Sequence, residues 1–201
     1  MSEGRRMRIY LLCKRFSDVV CAMAGLIVAS PLILTLALAV KFQSPGPVIY
    51  SQWRVGYRGK RFRIYKLRSM VEDAELGTPR LCDADDERVT PIGRFMRRYH
   101  LDELPNMWNV IRGDMSIVGP RPEREYFIDK IKVLSPEYDL VMQVRPGMTS
   151  WGMVKYGYAT DVSQMVERLR YDILYIKKLS PSLDMKIILH TIRMLGKGRG
   201  I

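Results

Sequence analysis

The chain has 201 residues, 47% hydrophobic and 27% charged, which excludes disordered and collagen-like classes and is enough for one domain with a buried core. Its 33 Lys and Arg against 21 Asp and Glu give a formal charge of +12, and 11 of that excess falls in residues 1–70, where Glu3 and Asp18 are the only acids. Three cysteines (Cys13, Cys21, Cys82) without a Cys-x-x-Cys pair, and two distant histidines (His100, His190), exclude a disulfide scaffold and a thiolate zinc site.

Residues 19–40 carry no charge; these 22 residues would form a helix roughly 33 Å long, about one hydrocarbon core. A buried core helix and a cleaved signal peptide are the weaker readings. Ala37-Leu38-Ala39 resembles a cleavage site, but the run exceeds the usual apolar region of about 7–15 residues and Asp18 abuts it. Pro31 lacks an N–H, so the Ile27 carbonyl loses its helical partner, and Ser30 is placed to bond an upstream carbonyl and stabilise a bend. Arg5, Arg6, Arg8, Lys14 and Arg15 precede the run, and eight bases without an acid occupy residues 41–70. A spanning helix would strand one basic flank outside, whereas a helix–break–helix keeps both on the cytoplasmic side, against anionic lipid. The expectation is a re-entrant, monotopic anchor over residues 1–44, broken at Ser30-Pro31, and a catalytic domain over residues 45–201.

Pro45-Gly46-Pro47 ends the apolar segment. Residues 48–55 and 61–67 read as two strands of a hairpin turning through Gly56-Tyr57-Arg58-Gly59. In the second strand Phe62, Ile64, Lys66 and Arg68 share one face, so the two bases either fray into solvent or project into a pocket. Residues 71–90, with seven acids and two bases, read as a surface loop or short helix, and Asp83, Asp85, Asp86 and Glu87 as solvated charges without chemistry. Helices are predicted over 92–99, 104–112, 123–134, 162–179 and 183–195. The last has an apolar face of Leu183, Ile187, Ile188, Met194 and Leu195 beside Lys186, Arg193, Lys197 and Arg199. Such a helix either lies on a membrane surface or packs on the domain. The glycine-rich run at 196–200 is not a phosphate loop, because no strand precedes it and no helix follows. The fold class is α+β, mainly helical, with a small β-hairpin and interfacial amphipathic helices.

Leu101-Asp102-Glu103-Leu104-Pro105-Asn106 puts two carboxylates at a helix start. In isolation Asp102 serves as an N-cap, Glu103 as a favourable charge on the helix dipole and Pro105 as a first-turn residue. Adjacent helical carboxylates point about 100° apart, so as chemistry they would do different jobs. Their company favours chemistry. In the block from Gly113 to Pro122, and in Val144-Arg145-Pro146-Gly147, Arg121 and Arg145 stand beside prolines in stiff loops suited to gripping phosphate oxygens.

At these residues the sequence resembles the monotopic phosphoglycosyl transferases, bacterial sugar transferases that initiate glycan assembly on a polyprenol carrier. The resemblance runs from about residue 12 to the C-terminus, the small catalytic-domain-only form. It rests on the Ser30-Pro31 break, Lys66-Leu67-Arg68-Ser69-Met70, Asp102-Glu103, the Gly113 to Pro122 block and Arg145-Pro146-Gly147. It implies a sugar-1-phosphate transferase acting on a UDP-sugar and polyprenyl (undecaprenyl) phosphate, in exopolysaccharide and other glycoconjugate biosynthesis. The site would lie on the cytoplasmic face of the bacterial inner membrane. Asp102 would be the nucleophile of a phosphosugar-aspartyl intermediate, with Mg2+ near Asp102 and Glu103 as second ligand or orienter. Lys66, Arg68, Arg121 and Arg145 would bind substrate phosphate. Membrane lipid is the expected surroundings, nucleic acid is not expected as a partner, and a homodimer is left open. After Gly147 the chain departs from the common Thr-Gly-Trp-Ala-Gln-Val, with Thr149-Ser150-Trp151-Gly152-Met153-Val154, so the sugar is not fixed by the resemblance. The competing readings are a non-enzymatic anchor binding anionic lipid or polysaccharide, and a lipid-phosphate hydrolase.

Overall fold

A computed structural model describes residues 3–74, 77–82 and 86–198; Asp83, Asp85 and Arg199, weighed above, lie outside the described residues. Helix α1 spans Glu3–Gln43, longer than the uncharged run, and its helical backbone continues through Pro31. The carbonyl that Pro31 cannot serve is not orphaned: Ser30 Oγ donates to the Ile27 oxygen at 2.8 Å. The hydroxyl replaces the missing amide, which lets a proline sit inside a long apolar helix.

By length and composition α1 can cross a membrane, and little of its most apolar stretch is buried. Ala22, Leu36 and Val40 lie on one stripe, 1%, 7% and 2% exposed, against the domain, while Ile27, Val28 and Leu34 face outward at 73%, 80% and 62%. That exposure rules out an ordinary core helix, whose apolar residues would be covered all round. Polar clamps hold its first third. Arg15 donates to the Val110 and Ile111 carbonyls at 2.7 and 3.1 Å, Asp18 accepts from Ser116 Oγ at 2.5 Å, and Lys14 pairs with Asp184 at 3.0 Å. Lys14 and Arg15 therefore do not face lipid as expected. The last carbonyls of a short helix and a nearly buried carboxylate need donors, and these two bases supply them.

Strands β1 (Ile49–Val55) and β2 (Arg61–Leu67) pair antiparallel, with Tyr50 opposite Lys66 and Arg54 opposite Phe62. Phe62 and Ile64 are buried on the inner face, while Arg61 and Arg63 point out. Helix α2 spans Pro91–Arg98, capped by Thr90. The predicted 104–112 helix is instead a 3-10 turn, Leu101–Asn106, followed by α3, Met107–Arg112. His100 is left-handed (φ 55°) ahead of the turn and Pro105 sits within it, so the α-helix starts later.

Two three-residue strands, β3 (Ser116–Val118) and β4 (Gly147–Thr149), form a parallel pair too short for periodicity to reveal. Gly119 and Gly147 meet back to back across it, and a Cβ on either would overlap the other's backbone. Helix α4 (Glu125–Leu134), a 3-10 segment (Pro136–Gln143), α5 (Trp151–Lys155) and α6 (Val162–Lys177) complete the main core around Phe127, Ile131, Tyr138, Met165 and Leu169. Helix α7 (Pro181–Gly196) splits its duties: Ile187 is fully buried against Val118 and Tyr175, while Met185, Leu189 and Ile192 leave an exposed apolar stripe.

Candidate active site

Two asparagines carry the dyad turn onto the hairpin. Asn106 Oδ1 accepts the Tyr65 N–H at 3.1 Å, and Asn109 Nδ2 donates to the Arg63 carbonyl at 2.6 Å. Both bonds use the outward edge of β2, so the inward side chain of Lys66 swings over the turn, and its Nζ lies 2.6 Å from Glu103 Oε1. Arg121 reaches the same oxygen at 3.5 Å from the loop after β3. Residues 37 and 18 positions away in sequence thus converge on one carboxylate.

The two acids face different surroundings. Asp102, 5% exposed, lines a cavity of about 230 Å³ whose wall carries nine Lys and Arg, including Lys66, Arg97 and Arg121, against three acids. No side chain among the described residues donates a hydrogen bond to it. Burial pushes its carboxyl above the usual range; Lys66 opposes the shift and Glu103 adds to it. Burial also works against charge on Glu103, but Lys66 and Arg121 overcome it and hold that carboxyl well below its ordinary value. Two neighbouring carboxylates are pushed apart, one neutralised by cations and the other unpaired in a basic cavity. Neither Asp102 nor Glu103 caps a helix.

Arg68 lines the same cavity, but its guanidinium is engaged by Pro45 O at 2.5 Å and by Ser44 O and Oγ at 2.8 and 2.9 Å, closing the connection after α1. Its buried Nε has no hydrogen-bond partner, nor does that of Arg54 in the same wall. Such donors are open to an anionic or carbonyl-bearing ligand. Arg145 is elsewhere: it is exposed, its Nε donates to the Gly113 carbonyl at 2.9 Å, and its guanidinium covers the Tyr57 ring. Lys66, Arg68, Arg121 and Asp102 are brought together, and Arg145 is not. Ser30 and Pro31 lie out on exposed α1.

Magnesium usually keeps several waters and takes one or two protein carboxylates plus substrate phosphates. Among the described residues no group of three or more His, Cys, Asp or Glu could hold a metal alone. Asp102, unpaired in the basic cavity, fits as one carboxylate ligand of such a substrate-borne ion; Glu103 is engaged by two cations.

Several site residues escaped the sequence reading. The acidic loop is part of the wall, through Glu72, Arg80, Cys82 and Arg88. Asp86 is folded over Arg88 rather than solvated, its carboxyl held far below the usual range chiefly by that hydrogen bond. Tyr158 lines the cavity, hydrogen-bonds His100 at 3.0 Å and lies under Arg121. Asp172 on α6 accepts from Gly152 N at 2.8 Å and Arg121 N at 3.4 Å, pinning the Arg121 loop; burial pushes its carboxyl up to about 6. Arg168 pairs with Glu123 at 2.5 Å at the back of the cavity. The available signal was that Arg168 and Asp172 interrupt the apolar stripe of α6 formed by Met165, Leu169 and Ile173.

Comparison with known proteins covers nearly the whole chain. The family described as bacterial sugar transferase matches residues 9–198. The UDP-N-acetylgalactosamine-undecaprenyl-phosphate N-acetylgalactosaminephosphotransferase of Aeromonas hydrophila is 41% identical over 192 residues, covering 96% of this chain and 45% of that protein. The UDP-glucose:undecaprenyl-phosphate glucose-1-phosphate transferase of Escherichia coli K12 is 40% identical over 185 residues, 90% of this chain and 39% of that protein. A Caulobacter vibrioides protein of the same name is 41% identical over 186 residues, 92% and 70% of the two chains. The chain thus spans less than half the length of the first two. Relatives named for different sugars match almost equally well.

Proposed function

The chain belongs to the bacterial sugar transferase family, and from that premise we propose that it transfers a sugar-1-phosphate from a UDP-sugar to polyprenyl (undecaprenyl) phosphate. The observation that carries this reading is Asp102: buried, unpaired, and set in a cavity walled by nine bases. In the first step an Asp102 oxygen attacks the β-phosphorus of the UDP-sugar. The bond from that phosphorus to the bridging oxygen breaks, UMP leaves, and a phosphosugar-aspartyl enzyme forms. In the second, a phosphate oxygen of the polyprenyl phosphate attacks the same phosphorus and the Asp102–phosphorus bond breaks, restoring the carboxylate. Neither step moves a proton at the nucleophile, so the chain's task is positioning and charge stabilisation. Lys66 and Arg121 offset the diphosphate charge, and Glu103 holds both in place. Mg2+ held by Asp102 and substrate oxygens would neutralise charge on the diphosphate.

Residues 1–44 are proposed as the membrane element and residues 45–201 as the catalytic domain at the cytoplasmic face of the inner membrane. In that reading α1 is re-entrant, bending at Ser30-Pro31, and the exposed Met185, Leu189 and Ile192 stripe of α7 rests on the bilayer surface. A bent anchor puts both basic flanks on one side and brings Asp102 to the depth of a lipid phosphate.

The test is UMP release from UDP-glucose and UDP-N-acetylgalactosamine with magnesium, with and without undecaprenyl phosphate. Sustained release that depends on the lipid supports a transferase, and water-driven turnover of lipid phosphate supports a hydrolase. Asp102→Asn should stay folded and membrane-bound while losing turnover and the covalent adduct; wild-type-like rates from that variant would remove Asp102 as nucleophile. A cysteine at position 4 should be labelled only from the cytoplasmic side, and labelling from outside intact cells would exclude the re-entrant anchor.

A further inference from the structure

A second cavity, of about 240 Å³, lies on the other side of the dyad turn from the basic one. Cys21 and Ala22 of α1, Leu104 and Met107 after the dyad, and Ile188 and Ile192 of α7 line it. Its polar end is formed by Glu103, His100 and Arg121, and Arg121 lines the basic cavity as well. The wall between the two is therefore the dyad turn with Arg121, joined by the contact between His100, which faces the groove, and Tyr158, which faces the basic cavity.

The contrast in lining separates the substrates. A nucleoside diphosphate in the apolar groove would lose its hydration without cations along its length, a cost of several kcal/mol per uncompensated charge. An isoprenoid chain has the opposite requirement: it gains by leaving water along the groove, and only its terminal phosphate needs a cation. Glu103 does not repel that phosphate strongly, because Lys66 and Arg121 already neutralise it at 2.6 and 3.5 Å. The groove is also continuous with the exposed apolar surface of the molecule, since Cys21 and Ile192 are both exposed and the outward faces of α1 and α7 run on from it.

We propose that this groove receives the isoprenoid chain of the acceptor lipid while the basic cavity receives the nucleotide sugar, the two substrates approaching the dyad from opposite sides and sharing Arg121. The inference rests on the transferase reading above and adds a place for each substrate. The lipid phosphate then passes Arg121 to the position UMP has vacated, opposite the Asp102–phosphorus bond, while its isoprenoid chain stays in the groove; UMP therefore leaves before the lipid phosphate binds.

The chain carries its own reporters, because Cys21 lines the groove and Cys82 the basic cavity. In a Cys13→Ser background of the full chain in nanodiscs, N-ethylmaleimide alkylation is followed at each cysteine by peptide mass spectrometry. Undecaprenyl phosphate at ten times its Kd should slow alkylation of Cys21 about tenfold and leave Cys82 unchanged; a UDP-sugar should do the reverse. Protection of Cys82 by the lipid, or none at Cys21, overturns the assignment. Independently, Ile192→Trp should raise the KM for undecaprenyl phosphate about tenfold, equivalent to ~1.4 kcal/mol. It should leave exchange of labelled UMP into the UDP-sugar, which reads the first step alone, at the wild-type rate. Equal loss in both assays, or in neither, refutes the groove. Absence of exchange in the wild type would instead refute the covalent transferase reading.

Discussion

Replacing Lys66 by Met removes the charge that most strongly couples the dyad to the hairpin. Lys66 Nζ lies 2.6 Å from Glu103 Oε1, with 18% and 13% of the two side chains exposed. At an effective dielectric near 20, two charges at this separation attract by roughly 6 kcal/mol. Most of that is offset by the desolvation of both ions, which amounts to several kcal/mol each. Truncating one partner of a buried pair ordinarily costs about 3–5 kcal/mol because the other charge is stranded. Here Arg121 remains 3.5 Å from the same oxygen. The expected loss is therefore about 2 kcal/mol, or a thermal midpoint lowered by about 4–8 °C in detergent. Lys66→Met with Glu103→Gln should recover most of that loss, since no charge is then stranded. A second effect follows at Asp102. Burial raises its carboxyl pKa and Lys66 pulls it back, so removing Lys66 raises it further. In the proposed role of Asp102 the ionised carboxylate is lost as pH falls through that pKa, so the acid limb of kcat/KM should move to higher pH in Lys66→Met. Strictly additive midpoints in the double-mutant cycle, or an unmoved acid limb, would refute this account of the dyad.

Asp172 gives a stability prediction with a defined sign. Its carboxyl is raised to about 6 in the fold, so the native state holds a proton the unfolded chain releases near pH 4, and stability falls as pH rises between those values. Asp172→Asn should flatten that window, removing on the order of 3 kcal/mol of pH dependence in denaturation between pH 4 and 7. Gly147→Ala drives a methyl into the Gly119 backbone and should cost about 1–3 kcal/mol, lowering the midpoint and displacing the Arg121 loop, with Asp102-dependent turnover falling alongside. Pro31→Ala returns an N–H to the Ile27 carbonyl and should straighten α1. Part of the population labelled at position 4 should then become reachable from outside the cell, and unchanged labelling would count against a proline-set bend.

The charge distribution shows how far a linear reading carries. The excess of bases in the first 70 residues is a property of the sequence, and its division around an apolar run points to a membrane face without any coordinates. Which of those bases are taken up inside the protein is decided by the fold. Lys14 and Arg15 clamp α1 to Asp184 and the end of α3, Arg54 and Lys66 pair with Glu123 and Glu103, and Arg68 closes on Ser44 and Pro45. A cation's role depends on the nearest unsatisfied oxygen, and long-range packing sets that neighbour.

Local rules explain the rest of what was legible. The hairpin follows from alternation, α6 and α7 from their apolar stripes, and Ser30 from the single carbonyl Pro31 cannot serve, because each signal lies within a few residues. The dyad was visible as two adjacent acids pointing apart, but nothing local says which of them takes which role. That assignment comes from two asparagines stapling the turn to β2 and from a parallel strand pair only three residues long, which brings Arg121 across. An apolar, basic-flanked segment, a mainly helical chain and a carboxylate pair in a recognisable order are all legible in residue order alone. That Glu103 is neutralised while Asp102 stays unpaired follows from long-range packing, because the cations that distinguish them arrive from β2 and the loop after β3.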